Sequence, residues 1–307
     1  MNPVQPHLAA SRHSPFDLGD EAAYVAWREQ KLTAYPASVD ELRVDVGDGF
    51  SLDAAEKAAI HRALARANFA IYRLADAATG DKALVRRLGR QFGLRRLDNN
   101  LCADEDAITS LRVVETRHGG EYIPYTDKRL NWHTDGYYNS PERQIRAIVM
   151  HCVQPAIEGG ENALLDHEIA YIQLRDSDPA MIEALMQPDA MTIPPNIQNG
   201  RMLRPAQSGP VFSVDAGGHL HMRYSARTRN IEWKDDAITR RAADCLLGLF
   251  NGDSPYIFRH RLAAGEGIIS NNVLHCRSAF SDDPAGGRQR LLYRARYFDR
   301  VSDPQGD

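Results

Sequence analysis

From residue 108 onward the chain is cut into short, β-rich runs. "ITSLRVVE", "RAIVMHCV", "ALLDH", "GPVFSV", "HLHMRYS", "YIFRHRL", "GIISNN" and "RLLYRARYF" follow one another, separated by Gly, Pro, Asn and Asp. Runs of this length, bounded by turn formers, read as strands. A chain with that many short strands hides its apolar faces by folding sheet against sheet. The segment "VDAGGHLH" adds a hairpin turn at Ala216-Gly217-Gly218. Two helical stretches interrupt the strands: "HEIAYIQLRDSDPAMIEALM", broken near Pro179, and "KDDAITRRAADCLLGLF".

The first 95 residues have a different texture. Residues 1–18 are rich in Pro, Ser and His and are expected to be loose. "DEAAYVAWREQKLTAYP" places Ala23, Val25, Trp27 and Leu32 near helical spacing, and Pro36 ends the helix. Ser51 reads as the N-cap of "LDAAEKAAIHRALARA", "FAIYRL" (69–74) as a short buried strand, and "DKALVRRLGRQFG" (81–93) as a helix closed by glycine. The expectation is one α+β domain over 1–307. A double-stranded β-helix (jelly-roll) core spans 105–300, with a mostly helical part over 19–95 and inserted helices outside the core.

Composition narrows function by exclusion. With 43% apolar and 25% charged residues, a net charge of −4 and no long basic run, nothing favours nucleic acid. No apolar run is long enough to span a bilayer. The first 25 residues lack the basic start and apolar centre of a secretory signal. The four cysteines, at 102, 152, 245 and 276, form no CxxC. A reduced, cytoplasmic setting is therefore expected. Edge strands and the N-terminal helices offer surfaces for a homo-oligomer, and the first helix one for peripheral membrane contact.

The chemistry lies in "LNWHTDGYYNSPE", residues 130–142. Residues i and i+2 of an extended segment point to one side, so His133 and Asp135 are placed to occupy adjacent corners of one metal site. A His-x-Asp pair is weak evidence alone among 11 histidines, and His219-x-His221 is a rival. A third ligand is offered by "GEGIISNNVLHCRSAF", where Gly265 and Gly267 open a strand that His275 ends. Two histidines and one carboxylate leave three positions open, the pattern of non-haem Fe(II) oxygen chemistry. Beyond it, Arg288, Arg290, Arg294 and Arg296 share one strand parity and read as a receiver for acidic ligands, with Arg288 the member expected in solvent.

The ordered set "WHTDG", "EGGENALLDH", "GIISNNVLHCRSAF" and "RLLYRARYFD" resembles the Fe(II)- and 2-oxoglutarate-dependent oxygenases of the taurine dioxygenase and clavaminate synthase-like group. Within that group it resembles members that hydroxylate glutarate and, second to them, members that hydroxylate the Kdo sugar of lipopolysaccharide. The resemblance implies that His133, Asp135 and His275 hold Fe(II), and that Arg290, with Asn162 where many relatives have Thr or Ser, binds 2-oxoglutarate. It implies that Arg294 and Arg296 face a substrate carboxylate, while Tyr137 lines the mouth and Arg229 lies on a loop near the substrate. O2 is the remaining co-substrate. The implied reaction hydroxylates an unactivated C–H of a carboxylate-bearing substrate, releasing succinate and CO2. The alternative is a non-catalytic metal- or 2-oxoglutarate-binding jelly roll.

Overall fold

The structure is a computed structural model that describes residues 14–77, 81–99, 106–114, 123–198, 200–227, 231–251 and 253–302. Two sheets organise it. The major sheet contains β1 (Arg43–Val46), β2 (Phe69–Leu74), β3 (Thr109–Leu111), β5 (Ala147–Gln154), β8 (Glu266–Ser270) and β10 (Leu291–Tyr297), in the order β1-β2-β8-β5-β10-β3. The minor sheet contains β4 (Leu130–His133), β6 (Asn162–Leu165), β7 (Ile257–His260) and β9 (Leu274–Arg277), in the order β7-β6-β9-β4. The β1–β2 pair is parallel and every other pairing in the two sheets is antiparallel. The hairpin expected at 216–218 joins Phe212–Val214 to Leu220–Met222.

The helices fall on two apolar cores. Helices α2 (Ala54–Ala67) and α3 (Lys82–Gln91) cover one face of the major sheet through Ile60, Leu64, Leu84, Val85 and Leu88. Helices α1 (Glu21–Ala34), α4 (His167–Ser177), α5 (Pro179–Leu185) and α6 (Ala237–Leu249) gather around a second core containing Trp132, Leu165, Leu274 and Cys276 of the minor sheet. The break between α4 and α5 falls at Asp178, whose side chain caps Ala180 N just before the helix turns at Pro179.

Four sequence expectations need adjustment. The cap of α2 is Asp53 and not Ser51: its carboxylate accepts from Glu56 N, and the Glu56 carboxylate accepts from Asp53 N. That reciprocal pair satisfies two helix-end donors, which Ser51 is too far upstream to do. The segment 14–18 is packed: Phe16 stands edge-on to Trp27 at 5.0 Å and to Tyr171 at 5.4 Å. Residues 1–13 lie outside the described part. The helical N-terminal part also donates β1 and β2 to the major sheet, because "FAIYRL" buries five of its six side chains and needs strands on both sides. Finally, the strand opened by Gly265 and Gly267 stops at Ser270, and His275 lies on the other sheet. Asn272, in the left-handed region at φ 54°, turns the chain between them.

Candidate metal centre and its arginine pocket

The site forms where the two sheets face each other. β4 and β9 are neighbours in the minor sheet, and their register sets His133 directly opposite His275. The two imidazole centroids are 4.3 Å apart. Asp135 follows two residues after His133, beyond the end of β4, and its Oδ1 is 3.7 Å from His133 Nε2. Ligand atoms of His133, Asp135 and His275 all lie within 4.8 Å of one another, the one such cluster of three or more metal-ligating side chains among the described residues.

The donor set fits a divalent cation. His133 Nδ1 donates to Asn131 O at 2.8 Å and His275 Nδ1 to Val273 O at 2.9 Å, so each ring turns the lone pair of Nε2 toward the centre. Burial pushes His133 down to about 3, helped by the neighbouring His275, and burial likewise lowers His275. Both rings are therefore neutral, as ligation requires. Burial alone raises the Asp135 carboxyl, but Arg294 and Arg296 outweigh it and hold the group well below the usual carboxylate range. Asp135 Oδ1 accepts from Arg294 Nη1 at 3.1 Å, while Oδ2 is buried with no partner. Two imidazoles and one carboxylate that offer ligand atoms within 4.8 Å of one another, with no fourth such group among the described residues, match an open facial site rather than a closed structural one.

Next to this cluster is a pocket lined by both sheets. Ile148 and Met150 of β5, Ile268 of β8, Leu164 of β6 and Leu130 of β4 form apolar walls, with Ser270 of β8 beside them. His275, Arg294, Arg277, Arg290 and Asn162 are among the polar lining. Asn162 faces Arg277 across the β6–β9 ladder. Arg290 is 4% exposed, has no carboxylate within ion-pair distance among the described residues, and leaves Nη1 unpartnered. Its guanidinium lies 4.9 Å over the Phe280 ring. Burial pulls it down to about 10. An unpaired buried guanidinium is costly to retain and points to an anionic ligand.

The remaining predicted residues take different places. Arg288 is exposed and lies outside the strand, bridging to Asp283, as expected of it. Arg296 is engaged by two partners, Asp98 and, at 2.8 Å, the Tyr138 hydroxyl. Its free reach toward a ligand is thereby reduced, and its charge instead adds to the field on Asp135. Tyr137 stands edge-on to His133, with centroids 6.4 Å apart, and its carbonyl accepts from Arg223 Nε. Arg229 lies outside the described residues. The rival histidines go elsewhere: His219 Nδ1 is 3.2 Å from Asp215, and His221 is buried and held neutral by that burial, with His167 adding to the effect.

Sequence reasoning passed over Arg277. Its guanidinium donates to the carbonyls of Thr126 and Lys128 and lies 4.7 Å over Phe280, opposite in role to a solvated arginine. The signal available was its spacing: two residues after His275 on a strand, it must share that histidine's face.

A two-histidine, one-carboxylate face beside a cationic pocket between two sheets defines a mononuclear non-haem iron oxygenase site. The chain matches the family "Taurine catabolism dioxygenase TauD, TfdA family" over residues 30–296 and belongs to it, the Fe(II)- and 2-oxoglutarate-dependent dioxygenases that use O2. It is 33% identical over 176 residues to a uridine-5'-phosphate dioxygenase of Amycolatopsis sp, covering 54% of this chain and 60% of that protein. The match to a uridine-5'-phosphate dioxygenase of Streptomyces sp is 30% over 212 residues, covering 66% and 72%. The chain thus spans about 60% of the length of the first of these relatives. Among solved structures, the non-heme iron oxygenase OrfP with Fe and alpha-ketoglutaric acid superposes at TM-score 0.59 with 18% identity, covering 82% of this chain and 81% of that one. Asparagine oxygenase with Fe(II), 3-hydroxyasparagine and succinate superposes at TM-score 0.56 with 15% identity, covering 84% and 94%. These likenesses show the fold.

Proposed function

We propose that the protein is a hydroxylating Fe(II)/2-oxoglutarate dioxygenase acting on a small anionic substrate. His133, Asp135 and His275 would hold the iron, through two imidazole nitrogens and one carboxylate. Arg290 takes the distal carboxylate of 2-oxoglutarate, and Asn162 supplies an amide donor beside it. Arg294, between Asp135 and the pocket, meets the substrate anion. Tyr137 walls the mouth, and Arg296 acts through Tyr138 and Asp135. In this reading the two sheets are the halves of a double-stranded β-helix, and the protein works in the cytoplasm.

When bound together with O2, iron and 2-oxoglutarate would supply the oxidative decarboxylation that drives C–H hydroxylation, one oxygen atom of O2 going to succinate and the other to the hydroxylated product, with release of CO2. The chain supplies placement. Carbonyl-held imidazoles keep Nε2 unprotonated and aimed, and Arg290 fixes the far end of the co-substrate. The Ile148, Met150, Leu164 and Ile268 walls exclude water around the reacting centre.

The observation that carries this reading is the pairing of an open His-Asp-His face with a buried arginine that lacks a partner. The relatives named for uridine 5'-phosphate favour a phosphate-bearing substrate, such as a nucleoside monophosphate, ahead of glutarate or Kdo. All three classes are anionic and suit Arg294. Purified protein is incubated with Fe(II), 2-oxoglutarate and each candidate acid, and succinate release is coupled to substrate loss. A class that raises succinate above the substrate-free rate, with loss of the effect in Arg294→Gln, supports the assignment. An Asp135→Ala protein that turns over like wild type sinks the metal reading.

A further inference from the structure

We infer that Asn272 is a positioning residue for the metal carboxylate. It clamps the backbone of Asp135 and so sets the metal affinity of the site; this rests on the metal reading above. Asp135 lies past the last residue of β4, so no sheet ladder fixes it. Its backbone partners are instead the side chain of Asn272. Asn272 Oδ1 accepts from Asp135 N at 2.8 Å, and Nδ2 donates to Asp135 O at 2.9 Å. The amide therefore pairs with Asp135 as a neighbouring strand would. A third bond, from Nδ2 to Ile145 O at 2.6 Å, ties the clamp to the segment that leads into β5.

Asn272 is suited to this by its own placement. It is 1% exposed and sits at φ 54°, a conformation asparagine tolerates better than most residues. It occupies the crossover from β8 in the major sheet to β9 in the minor one, three residues before His275. One residue thus fixes Asp135 through its side chain and leads the chain into His275. Its neighbour Asn271 reaches the other way. Asn271 Nδ2 donates to Asn68 Oδ1 at 3.0 Å, and Asn271 Oδ1 accepts from Val301 N at 3.3 Å, joining the crossover to the end of α2 and the C-terminal segment. Asn271 braces the fold and Asn272 braces the ligand, which makes the pair its own control.

The test compares Asn272→Gly, which keeps the left-handed backbone, Asn272→Asp, which keeps the acceptor but loses both donated bonds, and Asn271→Ala. Each is titrated with Co(II) without co-substrate and followed by the visible absorption of the bound ion, alongside the melting temperature of the metal-free protein. His133→Ala checks that the signal belongs to the triad. Expected is a 10–100-fold loss of Co(II) affinity in both Asn272 variants, the usual consequence of removing a group that orients a ligand. Asn271→Ala is expected to lower the melting temperature at least as much, with affinity within threefold of wild type. Wild-type affinity in the Asn272 variants overturns the inference while leaving the triad intact, as does an equal loss in Asn271→Ala. A wild-type signal that survives His133→Ala overturns the metal reading and this inference with it.

Discussion

Replacing Arg290 by Met separates the cost of the pocket from its purpose. The guanidinium is 4% exposed and has no acidic partner within ion-pair distance among the described residues. Burial holds it down to about 10 against an ordinary 12.5. The gap corresponds to about 3 kcal/mol spent keeping the group charged inside the protein. Stacking on Phe280 at 4.9 Å returns about 1 kcal/mol. Methionine has a similar length and no charge, so the substitution is expected to stabilise the metal-free protein by about 2 kcal/mol, a rise of about 4 °C in melting temperature. The sign follows from linkage: a base with a lowered folded-state value weakens folding at every pH below that value, so the gain is level from pH 6 to 9. Under the proposed function, the same change also removes the charge-assisted bonds that Arg290 would give the distal carboxylate of 2-oxoglutarate. With Mn(II) present, the thermal shift produced by 2-oxoglutarate should need about 10²–10³-fold more of it. Differential scanning fluorimetry with and without co-substrate reads both effects. A variant that melts below wild type and still responds to 2-oxoglutarate at wild-type concentrations refutes both parts of the reasoning.

Burial pushes His151 down to about 4 and His221 to about 3, so protons bind the unfolded chain first, and stability should fall as pH drops from about 6.5 toward 4. His151→Phe should flatten that slope by up to about 1.4 kcal/mol per pH unit in urea titrations, and an unchanged slope counts against a neutral buried His151. Gly136 sits at φ 70°, and an added Cβ meets Ile145 Cγ1 at 2.4 Å. Gly136→Ala should therefore cost about 2–4 kcal/mol in chemical denaturation and weaken Co(II) binding, since Asp135 is the preceding residue. Lys31 Nζ lies 2.6 Å from Asp166 and 2.5 Å from Glu168, and Lys31 and Asp166 are almost fully buried. Lys31→Met should cost about 3–5 kcal/mol, because it leaves two carboxylates without their cation, while a folded fraction keeps wild-type metal affinity. Burial favours the neutral form of Glu168, but Lys31 overrides it and holds that carboxyl low, so the Lys31→Met loss should shrink as pH falls toward 4.

Much of the architecture was legible because it rests on short-range patterns. Period-two runs and turn residues marked the strands, and Asp20, Asp81 and Asp236 preceded helices that they cap. The His133–Asp135 pair was readable from i, i+2 geometry, and His275 from its place near the arginine strand. What local pattern could not supply was partnership across the chain. Arg296 shares a parity with Arg290 and Arg294, yet it is neutralised by Asp98, 198 residues away. The crossover at Asn271-Asn272 was hidden inside what looked like one strand. The Asn-Asn pair was itself a turn signal, but a buried run on both sides outweighed it. The cap of α2 was missed by two residues for a similar reason: both Ser51 and Asp53 are good caps, and only the Glu56 partner decides between them.

The charges of the site, taken together, favour the anionic substrate proposed above. Three guanidiniums line one pocket, and each has a different degree of freedom. Arg277 is held by two carbonyls and a ring, so it contributes field but little reach. Arg290 has no carboxylate within ion-pair distance among the described residues and, in the proposed reading, serves the co-substrate. Arg294 is shared: one nitrogen serves Asp135 Oδ1, while its Nε is buried and unpartnered. An anion arriving at the mouth can satisfy that nitrogen without stripping Asp135, so substrate binding and carboxylate placement are compatible rather than competitive. A substrate with no acceptor at that point leaves the buried nitrogen unsatisfied, a penalty of about 1–3 kcal/mol relative to an acid of the same shape. A neutral acceptor relieves that penalty but forgoes the stronger charge-assisted bond, and this preference acts on carboxylates and phosphates alike. Under the proposed function, selection between those two falls to shape near Tyr137 and Tyr138, whose rings stand edge to face with centroids 5.2 Å apart beside His133.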